Sequence, residues 1–164
     1  MKHSSSARSL SLSCSSCHRE QGINVGTLPS WPSSGFSFGC WLRVEYFQDP
    51  GQAPGKYEPR LFSFTTEDKC GVEAHFAINA QGKAQLIVRT RPSTSGSVHQ
   101  QIFDYEFIAK QWYFIVVTHK YSMLLSSTLR LFVGGKKVCE TSLKYPSISR
   151  VRRSIGTILQ QETD

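Results

Sequence analysis

What this 164-residue chain lacks narrows its function before anything it contains does. No apolar run approaches the roughly 20 residues of a membrane-spanning helix. No heptad or helical stripe of any length appears, which excludes coiled coils and helix bundles. There is no Asp-x-Asp cluster to hold calcium, and the one adjacent acidic pair, Glu67-Asp68, runs straight into Lys69. The serine-rich start (Ser4 to Ser6, Ser9, Ser11, Ser13, Ser15, Ser16) has no continuous apolar core of the kind an export signal carries. The five cysteines, an odd number, are therefore expected to be reduced cytosolic thiols rather than a disulfide framework.

Cofactors are not expected either. Cys14-Ser15-Ser16-Cys17-His18 matches the c-type haem attachment pattern, but that chemistry needs an exported or mitochondrial chain. A zinc site built on the same pair with His3 or His18 lacks a second pair at finger-like spacing, because Cys40, Cys70 and Cys139 lie far apart. The formal charge of +7 is dispersed, with a modest concentration from Arg130 to Arg153. It comes without a polybasic block or an aromatic-basic pattern, so specific nucleic-acid binding is not expected.

What the chain does contain is alternation. Phe36, Phe38, Cys40, Leu42 and Val44 fall at every second position, with Ser37, Gly39, Trp41, Arg43 and Glu45 in the other register. A period of two is that of a half-buried β-strand. Leu61 to Thr65 reads as a short strand with Phe62 and Phe64 inward. Val72, Ala74, Phe76 and Ile78 alternate with Glu73, His75, Ala77 and Asn79, and Ala80-Gln81-Gly82-Lys83 turns that strand into Ala84 to Arg91. Trp112 to Thr118 is apolar in both registers, which predicts a central strand covered on both sides. Leu129 to Val133 alternates again, and Gly134-Gly135 is a two-residue hairpin turn leading into Lys137 to Leu143. Seven or so short strands joined by hairpins predict an all-β, antiparallel two-sheet sandwich.

The order of these pieces resembles a known family. Gly35-Phe36-Ser37-Phe38 leads through Cys40-Trp41-Leu42, and Gln111-Trp112-Tyr113 with Val116-Val117 follows about seventy residues on. Leu129 to Lys136 and finally Ile155-Gly156-Thr157 complete the series. Over about residues 22 to 158 this resembles the concanavalin A-like (laminin-G-like) jelly-roll sandwich of the large BEACH-domain scaffold proteins, the neurobeachin, lysosomal-trafficking-regulator and WD-FYVE group. The resemblance implies a protein-interaction or structural module, not an enzyme, inside a scaffold of vesicle trafficking or autophagy. It also implies a cytoplasmic location, peripheral on endosomal, lysosomal or other internal membranes through other domains of a parent protein. Sandwiches of this family continue past Ile-Gly-Thr to a Phe-x-Gly strand; this chain stops at Asp164, so a fragment or splice product with its sheet open at one edge is expected. The expected organisation is a serine-rich disordered arm over 1–27, the sandwich over 28–158 and a tail over 159–164.

Phe36, Phe38, Leu42, Phe76, Trp112 and Leu131 are the expected core. Trp41, Arg43, His75, Arg89 and Arg91, in the opposite register together with Glu45 and Glu73, are the expected partner-binding surface if their strands share a sheet. His119 is read as a hydrogen-bonded structural histidine. The alternative function is a carbohydrate-binding lectin-like or glycosidase-like domain, for which Glu45 and Glu73 are the candidate carboxylate pair.

Overall fold

The computed structural model describes residues 23–28, 30–47, 58–124, 126–146, 148 and 154–162. The Cys14-x-x-Cys17-His18 segment lies outside them. Ten strands run through the described residues: β1 (Ile23–Leu28), β2 (Gly35–Arg43), β3 (Glu58–Thr65), β4 (Gly71–Ile78), β5 (Ala84–Arg91), β6 (His99–Ile102), β7 (Trp112–Lys120), β8 (Thr128–Val133), β9 (Lys136–Ser142) and β10 (Ser154–Glu162). They form a six-stranded sheet in the order β1-β10-β3-β4-β5-β6 and a four-stranded sheet in the order β2-β7-β8-β9. Every pairing is antiparallel. The all-β two-sheet sandwich is the architecture the alternation predicts.

Alternation sorts the side chains as it should. Phe62, Val72, Ala74, Phe76, Leu86 and Val88 of the larger sheet meet Leu42, Ile115, Val117, Leu129 and Leu131 of the smaller one in a single buried cluster. Phe36 and Phe38 are partly buried against it, and the Phe38 ring packs on Phe62 with centroids 4.6 Å apart. Cys40 belongs to the same partly buried fringe, and loss of water raises its thiol pKa to about 11, so it remains an inert thiol.

Both expected hairpins form. Asn79 closes the β4–β5 turn by accepting from the backbone of Gln81 and Lys83 through its side-chain oxygen. Gly134 and Gly135 take φ of 57° and 81°, the left-handed pair that lets two residues reverse a strand without splaying it.

The element boundaries differ from the sequence reading at both ends. β1 begins at Ile23, within the stretch expected as an arm, and β10 runs to Glu162, within the expected tail. β1 is only six residues long, and its register shifts between Asn24 and Gly26. Pairing with β10, rather than local propensity, defines it as a strand. The sequence leads one to expect a sheet open beyond Ile155-Gly156-Thr157. In the structure that segment lies in an interior strand, paired with β1 on one side and β3 on the other, and among the described residues the sheet's edges fall at β1 and β6.

Candidate functional site

The outer face of the six-stranded sheet carries a cationic cleft. Strand β4 turns Glu73 and His75 outward because Val72, Ala74 and Phe76 face the core. Its partner β5 sets Arg89 opposite Glu73 and Arg91 opposite Gly71. On the other side Ser63 pairs with Glu73 and Thr65 with Gly71. Strict alternation would place Arg60 on the core face with Phe62 and Phe64. A β-bulge between Arg60 and Phe62 prevents that: Arg60 pairs with His75 and Phe62 with Ala74, so Arg60 joins the outer set. Lys69, in the turn between β3 and β4 at φ 58°, completes the ring.

The cleft has a volume of about 310 Å³ and is lined by Arg60, Lys69, Arg89 and Arg91 with Ser63, Thr65 and Val98. One carboxylate, Glu73, lines it too, 3.7 Å from the Arg60 guanidinium. Glu58 lies just as far, 3.7 Å, from Arg89, whose Nε donates to Gln100 at 3.2 Å. Arg91 and Lys69 pair with no carboxylate among the described residues. Four cations around one lining carboxylate leave net positive charge over a floor with Ser and Thr hydroxyls, an arrangement that recognises anions.

His75 sits beneath this charge rather than in solvent. It is 2% exposed, and burial first, then Arg89 and Arg60, pull its pKa down to about 4. At neutral pH it is an uncharged imidazole. A residue this covered does not present its ring to a ligand in the cleft; it acts by holding the sheet beneath the arginines. His119 is the structural histidine the sequence suggests: fully buried, with Nε2 donating to the Leu143 carbonyl at 2.9 Å.

The five expected surface residues do not form one surface. Trp41 and Arg43 lie on β2 in the four-stranded sheet, whereas His75, Arg89 and Arg91 lie on the outer face of the other sheet. Glu45 and Glu73 are separated in the same way, so no carboxylate pair forms between them. Trp112 also needs correction. It was expected in the core, but it is 64% exposed. Strand β7 is apolar in both registers, yet only Tyr113, Ile115, Val117 and His119 face inward. Trp112 and Phe114 lie on the outside beside Trp41, which is 67% exposed and stacks on Phe114 at 5.3 Å. Arg43 is tied to Glu45 at 3.0 Å next to this aromatic strip.

Sequence reasoning missed Arg60 and Lys69. A bulge leaves no reliable mark in a single sequence, so nothing could have placed Arg60. Lys69 had a faint signal in its position between Asp68 and Cys70-Gly71, where a strand start follows a turn.

Comparison with known proteins bears on this arrangement. A family model described as the concanavalin A-like lectin/glucanases superfamily matches residues 18–157. The chain belongs to that superfamily. It is also distantly related to BEACH-domain proteins: it is 33% identical over 143 residues to BEACH domain-containing protein B of Arabidopsis thaliana, which covers 84% of this chain and 5% of that protein. It is 31% identical over 116 residues to BEACH domain-containing protein lvsE of Dictyostelium discoideum, covering 71% of this chain and 5% of that protein. The chain thus spans about 5% of the length of these relatives.

Among solved structures, the sandwich superposes on the endo-β-1,4-glucuronan lyase of Trichoderma reesei with a TM-score of 0.56 at 12% identity, covering 88% of this chain and 64% of the lyase. That likeness is one of fold. It overturns the expectation of a module that is not an enzyme, which came from the resemblance to BEACH scaffolds and from the lack of a clear catalytic motif, because the same sandwich is that of a lyase. On a sheet face, reacting groups come from neighbouring strands far apart in sequence, so a missing linear motif excludes no activity.

Proposed function

We propose that this chain is a carbohydrate-binding, lectin-like domain that takes an acidic glycan on the outer face of its six-stranded sheet. The observation that carries this is the convergence of Arg60, Lys69, Arg89 and Arg91 on a single cleft. Guanidinium groups match carboxylates in paired hydrogen bonds, and the Ser63 and Thr65 hydroxyls suit sugar hydroxyls. The structurally similar lyase is named for an acidic polymer, glucuronan, which fits the charge of this cleft. Titration with oligoglucuronate and with an uncharged glucan of equal length tests the reading. Binding of the acidic oligomer alone, weakened about tenfold by Arg91→Ala and by added salt, is expected. Equal binding of both oligomers, or of neither, would overturn it.

A second reading is supported by the similarity to BEACH-domain proteins and by the exposed Trp41–Phe114–Trp112 strip. In it, the domain is an interaction module of a BEACH-type scaffold in vesicle trafficking or autophagy. The strip contacts a protein partner, and the scaffold is cytoplasmic and held on internal membranes by its other domains. Exposed aromatics flanked by an arginine have the composition of an interface centre. Paired Trp41→Ala and Trp112→Ala changes that abolish a partner complex while leaving oligoglucuronate binding intact would favour this reading.

A further inference from the structure

The loop joining β7 to β8 is built like an insertion tip. Ser127, itself buried, clasps its base: the Ser127 hydroxyl accepts from the Ser122 backbone at 3.3 Å, and the Ser127 carbonyl accepts from Leu143 at 3.1 Å. Tyr121 is fixed by its backbone N–H to the Ser34 carbonyl at 3.0 Å and by its ring on Tyr145 at 5.5 Å. From this clasped base project Met123, 84% exposed, and Leu124, 94% exposed. They are the two most exposed large apolar side chains among the described residues. Single exposed apolar residues are ordinary, but two in succession at the apex of an anchored loop are not.

The exposed charges beside the loop are cationic. Lys120 and Lys144 flank the loop, both exposed, and neither pairs with a carboxylate among the described residues. Beside Lys144 a hollow of about 440 Å³, lined also by Ser122, Ser126 and Ser127, offers hydroxyls and an ammonium group at the foot of the apolar tip.

We propose that the exposed tip that follows β7 docks on an anionic lipid bilayer, with Met123 and Leu124 entering the interface and Lys120 and Lys144 meeting headgroup phosphates. Apolar residues at the apex and cations one step behind match the profile of a membrane surface, where anionic headgroups overlie hydrocarbon. A protein groove would be expected to require carboxylates opposite the lysines as well as a cavity for the apex. A bilayer presents both features everywhere, which is the reason for choosing it as the occupant. The proposal goes beyond the glycan reading and involves different residues.

Co-sedimentation of the full chain with phosphatidylcholine vesicles, with and without about a third phosphatidylserine, is the test. Binding to the anionic vesicles is expected, and little binding to the neutral ones. The double change Met123→Ser with Leu124→Ser should weaken it about tenfold or more, as should Lys120→Gln with Lys144→Gln. Neither pair should shift the melting temperature, because all four side chains are exposed. Arg91→Ala, in the glycan cleft, should leave vesicle binding unchanged. Absence of sedimentation, equal sedimentation of the serine variant, or loss with Arg91→Ala would each overturn the proposal. So would a dimer that forms without vesicles and dissolves with the serine change, since the tip would then serve a second copy of the chain.

Discussion

His75 Nε2 and Glu58 Oε2 lie 3.4 Å apart across β3 and β4, within ion-pair distance but without a hydrogen bond. The imidazole does not take up a proton to complete the pair. Burial and the nearby Arg89 and Arg60 outweigh the partly exposed Glu58 and hold the His75 pKa at about 4, against 6.5 when unfolded. The unfolded chain therefore binds this proton first as pH falls. Stability from His75 is complete above pH 6.5 and is lost as pH drops toward 4, by an amount on the order of 3 kcal/mol. Urea midpoints at neutral and mildly acidic pH should show this slope, and His75→Gln should flatten it. His119, its pKa also lowered by burial, supplies a second contribution of the same sign.

The two tryptophans and the core phenylalanines should separate cleanly. Trp41→Ala and Trp112→Ala remove exposed rings and should each cost no more than about 1 kcal/mol. Phe62 and Phe76, 0% and 1% exposed, should each cost about 3–5 kcal/mol when cut to alanine. Denaturant melts of the four variants distinguish the outcomes; a large loss for Trp112→Ala would restore that residue to the core.

Gly71 opens β4 at φ 145°, with the Phe64 carbonyl where a Cβ would sit. Gly71→Ala should cost about 2 kcal/mol or more, since backbone must move to admit the methyl group. Gly134→Asn, at φ 57° in open space, should cost under about 1 kcal/mol because asparagine tolerates that conformation. Comparing their thermal unfolding midpoints checks the contrast.

Removing residues 154–164 should leave β1 without a partner and expose the β3 edge along Glu58–Thr65. Loss of cooperative unfolding and concentration-dependent association are expected in light scattering. A monodisperse, cooperatively melting truncation would show that β10 adds little.

The sandwich itself was legible because alternation at Phe36–Leu42, Val72–Phe76 and Leu129–Leu131 depends only on one face being wet. The site was legible only in part. Arg89 and Arg91 could be placed on an outer face by parity, but parity does not say which sheet a strand joins. Trp41 was accordingly grouped with residues that lie on the other layer. Arg60 was hidden by a bulge, and Trp112 misled because a strand apolar in both registers looks the same whether its second face is covered or left as a surface strip. β1 was lost because its pairing comes from a distant strand rather than from its own composition.

The insertion of β10 between β1 and β3 sets an order of events during synthesis. Strands β2, β7, β8 and β9 can close the smaller sheet once Ser142 has left the ribosome. The larger sheet cannot, because Ile23 waits for Ile158 and β3 waits for the same late strand. Until then the nascent chain holds an unfilled slot beside Phe62 and Phe64, and long-range pairing of this kind closes slowly. A chaperone or a neighbouring chain that reaches this slot before β10 competes with β10 for it.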